Sequence, residues 1–153
     1  MKKKLLFIFA LLCAVAQGAW SQRVVDLSKL EGDYVAQDGD VLTGTLRKEK
    51  NIAIAHGATV TLSNMTIIGD ENKWKWEARL QCIGDATIIL ADGTTNTINS
   101  YTSPGIEGIT KNTTITIKGT GSLYAKGGDC CAGIGGKDCN IVIEGGYFIV
   151  AFF

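Results

Sequence analysis

The sequence has little of what most catalytic and metal sites are built from. Among its 153 residues there is one histidine, one proline and 20% charged residues. His56 stands alone, and no Ser-His-acid arrangement can be assembled around it, so it reads as a strand-end residue rather than a catalytic one. The glycine-rich stretches Gly119-Thr-Gly121 and Gly133-Ile-Gly-Gly136 lack the Gly-Lys-Ser/Thr ending of a phosphate loop and read as turns between strands. Cys130-Cys131 followed by Cys139 has no accompanying histidine and matches no zinc spacing. A single proline against 19 glycines points to turns built on positive φ rather than on proline.

The chain also lacks a strong charge of either sign. Of its 15 basic residues, three are lysines in residues 1–19, which hold no acid, so 12 basic residues face 15 acidic ones in the remainder. That mild acidity argues against nucleic acid as a partner.

Residues 1–19 read as a signal peptide. Lys2, Lys3 and Lys4 form a positive start, Leu5 to Ala16 an apolar run, and Ala16, Gly18 and Ala19 a small-residue cleavage region. The run is shorter than the ~20 residues that span a bilayer, so no membrane span is expected after cleavage. Cys13 follows Leu11 and Leu12 rather than a small residue, so ordinary cleavage is expected over lipidation. Export to the periplasm, the cell surface or the medium follows.

Beyond the leader, four strings share one grammar. They start at Asn51, Asp85, Asn112 and Asn140, spaced 34, 27 and 28 residues apart. In each, an Asn or Asp leads a short β-branched strand, a glycine-containing turn follows, and a second short strand ends the unit. Ile54, Ile88, Ile115 and Ile143 occupy the third position after the leader, and His56, Leu90, Ile117 and Gly145 the fifth. Stacked strands would bring such columns together every 4.7–4.9 Å. The leader side chains are expected to hydrogen-bond to neighbouring backbone and to each other. Ile106 and Ile134 each lie six residues before a leader and mark a third strand. Three short strands per ~27 residues predict an all-β fold, a right-handed single-stranded parallel β-helix of three to four rungs. An antiparallel β-sandwich of short strands is the alternative. Residues 20–50 would form an N-terminal cap or partial rung and residues 51–153 the repeats. The string Tyr147-Phe-Ile-Val-Ala-Phe-Phe153 is apolar, so an incomplete last rung, a truncated array and self-association through that open end are expected.

Ala86-Thr-Ile-Ile-Leu-Ala-Asp-Gly-Thr-Thr-Asn-Thr-Ile98, Pro104-Gly-Ile106, Thr114 to Leu123, and Ala132-Gly-Ile-Gly-Gly136 with Cys139 to Gly146 carry a resemblance. Over residues 50–146 the chain resembles exported bacterial β-helix proteins, the carbohydrate-binding-domain and surface-repeat proteins of Gram-negative gut anaerobes. The resemblance implies the fold of polysaccharide lyases and glycan binding without cleavage. Ala-Gly-Ile-Gly-Gly recurs in such proteins and occurs once here, which again fits a shortened array.

The candidate ligand site lies in the long first repeat, at Asn72-Lys-Trp-Lys-Trp-Glu-Ala-Arg79. On an extended strand Trp74 and Trp76 face one side, giving a platform for the C–H faces of sugar rings. Lys73, Lys75, Glu77 and Arg79 would supply polar contacts. The competing reading is that both indoles fold back over the first rung. Calcium is the only cofactor considered: Asp38-Gly39-Asp40 offers two oxygen ligands but matches no calcium loop, and turn chemistry accounts for it. A Cys131–Cys139 disulfide is expected in an oxidising compartment, with Cys82 packing as a small core residue. Two other functions stay open: a polysaccharide lyase, with Arg79 and Lys126 as nominees for the base, and a structural or degenerate fragment of a longer surface-repeat protein.

Overall fold

A computed structural model describes residues 22–46, 50–69 and 78–151. Residues 1–19 and the side chains of Lys73, Trp74, Lys75, Trp76 and Glu77 lie outside the described residues. The described chain is all-β, and every strand pairing in it is parallel, which corrects the antiparallel alternative. The one helical piece is the 3-10 turn Leu27–Lys29. Among the described residues no helix is long and apolar enough to cross a membrane.

The strands fall into three columns. The first holds β1 (Val24–Asp26), the start of β3 (Val41–Leu46), the start of β5 (Thr59–Ile68), then β7 (Ala86–Leu90), β10 (Thr114–Gly119) and β13 (Asn140–Ile143). The ends of β3 and β5 lead the second, followed by β8 (Thr95–Asn99), β11 (Ser122–Lys126) and β14 (Tyr147–Ala151). The third is a separate five-stranded sheet of β2 (Tyr34–Ala36), β4 (Ile52–Ile54), β6 (Leu80–Cys82), β9 (Ile106–Gly108) and β12 (Ile134–Gly135). Residues 24–46 therefore pair with the next pass of chain. The third strand marked by Ile106 and Ile134 is present, with those two residues opposite each other.

Strand alternation explains the core. In β7, Ala86, Ile88 and Leu90 are buried while Thr87 and Ile89 are half-exposed. Val60, Ile88, Ile117 and Ile143 stand opposite one another in successive strands. In the five-stranded sheet Ile54 stands opposite Cys82, and Cys82, fully buried, packs as a core residue. The sequence alignment of the isoleucines thus needs two corrections. Ile54 belongs to a different sheet from Ile88, and Ile115 pairs with Ala86 and Ile141 rather than with Ile88. A slip of two residues keeps a side chain on the same face, so the inward pattern alone could not detect it.

One bend joins the first two columns. In β5 the register with β3 shifts between Leu42 and Gly44, where Asn64 takes φ 53°. The freed backbone is satisfied by Asn96, fully buried in β8: its Oδ1 accepts from Met65 N (3.0 Å) and its Nδ2 donates to Ser122 O (3.2 Å). This buried amide occupies a position that an apolar side chain would otherwise fill.

The last pass is less covered than the others. Ile143 is 51% exposed, Ile149 64% and Tyr147 75%, because no described strand lies on the far side of β13 and β14.

Candidate functional site

The polar turns do structural work first. Asp85 Oδ1 accepts from Thr114 N (2.8 Å), Asp33 Oδ1 from Asn51 N (2.8 Å) and Asp38 Oδ1 from Thr59 N (2.8 Å). Each acidic side chain caps a backbone N–H of the next pass, so bonding to backbone is the dominant use of these turn residues. Asp40 accepts from Arg23, Tyr34 and Gln37 N. Both carboxylates of Asp38-Gly39-Asp40 are therefore engaged as turn acceptors. Among the described residues no group of three or more His, Cys, Asp or Glu side chains could hold a metal ion.

Arg79 is the only one of the six ligand-site residues within the described chain. It is 6% exposed, and its Nη1 donates to Lys50 O (2.8 Å) and more distantly to Asn51 Oδ1 (3.4 Å). The guanidinium ties the return of the long insertion to the chain entering β4 rather than facing solvent. Next to it, Ala78 N donates weakly to Glu107 Oε2 (3.4 Å). His56 is exposed in the turn between β4 and β5, with its ring against Gly84.

All four described cysteines are thiols in this structure. Cys139 Sγ lies against Gly108, whereas Cys131 feels the charges of Cys130, Glu107 and Asp129. Burial pushes the thiols of Cys131 and Cys139 up.

The side-chain set best suited to a ligand lies at the corner after the second column. Here the loop from Ser100 to Gly105 is stacked on the loop from Gly127 to Gly133. Ser100 N donates to Lys126 O (2.9 Å) and Gly128 N to Ser103 O (3.0 Å). The loops approach so closely that a Cβ on Gly128 would overlap the backbone of Tyr101 and Thr102. The result is a shallow cleft of about 230 Å³ lined by Ser100, Tyr101, Lys126, Gly127, Gly128 and Asp129. Tyr101 is 36% exposed and shares the lining with Lys126 and Asp129. The volume is below that of pockets that enclose a small molecule, roughly 300–1,000 Å³. It suits contact with one unit of a larger ligand.

The long insertion leaves the fold at this cleft. Gly69, the last described residue before it, donates from its N to Asn99 O (2.7 Å). A Cβ on Gly69 would come within 3.3 Å of the Tyr101 ring. Sequence reading singled out Lys126 for a different role and passed over Tyr101. The available signals were Pro104, which marks the upper loop, and the Gly-Gly pair after Lys126, which marks the lower one. Their proximity depends on the pairing of β8 with β11. A second, wider concavity lies on the outer face of the first column, lined by Gly57, Asp85, Ala86, Thr87, Thr114 and Thr116. It has no aromatic side chain.

No protein-family model matches the chain, and no curated protein or solved structure matches it either.

Proposed function

We propose that the chain is an exported, non-catalytic glycan-binding module, wound as a right-handed single-stranded parallel β-helix. The exclusively parallel pairing and the three columns, revisited after 29, 27 and 26 residues at β7–β10, β8–β11 and β6–β9, support the winding. The lysine-led apolar start of the sequence supports export.

The observation that carries the binding function is the position of Gly69 against Tyr101. The segment that contains Trp74 and Trp76 begins on the rim of a cleft that already holds an aromatic ring, a lysine and an aspartate. Aromatic faces with flanking hydrogen-bonding groups are suited to pyranose rings, which combine C–H faces with hydroxyls. Lys126 and Asp129 would contact the hydroxyls, with Lys73, Lys75 and Glu77 as further polar groups. Arg79 holds the base of the insertion.

Affinity electrophoresis through gels containing a panel of polysaccharides, with calcium and with chelator, tests the reading. Retardation is expected on at least one polymer. Tyr101→Ala and Trp74→Ala should each weaken it about tenfold or more, the equivalent of ~1.4 kcal/mol for a lost stacking contact. Folded protein that migrates freely through every polymer would remove the glycan reading.

The exposed apolar strands β13 and β14 favour a second, structural reading in which chains associate edge to edge. Sedimentation velocity should then show mass rising with concentration. A monomer at all concentrations would exclude this reading.

A further inference from the structure

Cys82 and Cys139 come from different passes of the chain, yet they share one gap in the core. Cys82 ends β6 and points inward, fully buried. The residue opposite it in the next strand is Gly108, which has no side chain. The space that a side chain at 108 would fill is taken from the next pass. A Cβ there would lie 2.8 Å from Cys139 Sγ and 2.9 Å from Thr113 Cγ2. Gly136 closes the same place from outside, since its own Cβ would come 2.5 Å from Gly108 O. Cys139 thus reaches over a glycine toward the thiol one strand further down.

We infer that Cys82 and Cys139 are a disulfide pair, formed across Gly108, that ties β6 to the turn between β12 and β13. A low-molecular-weight disulfide is the oxidant. Cys139, half-buried, is the accessible partner and reacts first. Its thiolate attacks one sulfur of the oxidant, forms a mixed disulfide and releases one small thiol. The Cys82 thiolate then attacks Cys139 Sγ, forms the protein disulfide and releases the second small thiol. Two protein S–H bonds are lost, two electrons pass to the oxidant, and two small thiols form.

The second step is slow at neutral pH. Burial, and then the neighbouring Cys139, push the Cys82 thiol up to about 12, so little thiolate is present. Its rate should rise about tenfold per pH unit between pH 7 and 9. The bond closes a loop of more than fifty residues, and constraining the unfolded chain should raise the melting temperature by on the order of 10 °C.

The full mature chain is incubated with oxidised and reduced glutathione, digested without reduction and mapped by mass spectrometry. A linked pair of peptides containing Cys82 and Cys139, about 2 Da lighter than the two free peptides, is the expected product of the two lost protons. The variant Cys130→Ser/Cys131→Ser leaves the core untouched and should still lose both remaining thiols. Linkage of Cys139 to Cys131 with Cys82 left free would overturn the inference. So would two persisting thiols in a natively folded Cys130→Ser/Cys131→Ser chain.

Discussion

Replacing Gly119 by alanine is expected to lower the unfolding free energy by about 4 kcal/mol, one of the largest effects of any single substitution here. Gly119 ends β10 at φ 109°, a conformation that disfavours any side chain. It lies opposite Leu90 of the strand below, and a Cβ at 119 would overlap Leu90 O and come 2.9 Å from Leu90 N. These are backbone atoms of a paired strand, so they cannot swing aside as the end of a side chain can. Thr120 N and Gly121 N both donate to the same Leu90 O (3.3 Å each), so displacing it would also loosen the turn into β11. The next pass cannot yield either, because Gly145 stacks directly on Gly119 O. Gly93→Ala is the control. Gly93 also has positive φ, at 66°, but nothing lies within 4 Å of its would-be Cβ, so its cost should stay near ~1 kcal/mol. Urea denaturation of the two variants separates close approach from conformational strain. Equal costs would show that the stacked backbones give way more easily than their packing suggests.

Asp40→Ala is expected to cost about 3 kcal/mol, and the contribution of the native carboxylate should vanish in acid. Asp40 is 2% exposed and sits at the start of the fold, where one carboxylate gathers the first strands. It receives two hydrogen bonds from Arg23 (2.9 Å each), one from the Tyr34 hydroxyl (2.7 Å) and one from Gln37 N (2.9 Å). Removing it leaves the half-buried Tyr34 hydroxyl and Gln37 N without this acceptor. Arg23 would lose least, since its side chain is 58% exposed and can return to water, so Arg23→Ala should cost much less than Asp40→Ala.

The pH dependence has a definite sign. Burial raises the Asp40 pKa. The hydrogen bonds from Arg23, Gln37 N and Tyr34, with the Arg23 charge, outweigh burial and hold it below the ordinary carboxylate range. A depressed folded value means that the unfolded chain takes up the proton first. The stabilisation is therefore complete above the unfolded pKa of about 3.9 and is lost as pH falls through the folded value. On the alkaline side, burial, and then the hydrogen bond and charge of Asp40, push Tyr34 up to about 12. Tyr34 thus keeps its proton, and its bond to Asp40, through the neutral range. Thermal melts of wild type and Asp40→Ala should keep a constant separation above about pH 5 and converge as the pH falls through the folded Asp40 value. A separation that persists unchanged into strong acid would place the carboxylate's role in packing alone.

The strands were legible because their signal is local. Alternating Ile, Leu and Thr around Asp-Gly and Gly-Gly turns marks short half-buried strands wherever they occur, and the repeat of that pattern points to stacking. Ile106 and Ile134, six residues before a leader, belong to this pattern and stand opposite each other in the structure. Register was less legible. Ile54 and Ile88 each follow a polar leader in nearly the same local string, but one belongs to β4 and the other to β7, in different sheets.

Which residues meet across passes was decided by tertiary structure alone. Tyr101 and Lys126 lie 25 positions apart in sequence, and only the pairing of β8 with β11 brings their loops together. Arg79 carries a charge that sequence reading sends to solvent, but the structure buries it against Lys50 O. Cys139 has Cys131 as its near neighbour in sequence, and its sulfur occupies the space left by Gly108, beside Cys82 from far earlier in the chain. Strand pattern, turn chemistry and the inward apolar face were readable in the residues alone, because they depend on near neighbours and a period of two. The tertiary structure decided register, the corner cleft and the cysteine neighbours, because each depends on contacts between passes that carry no local mark.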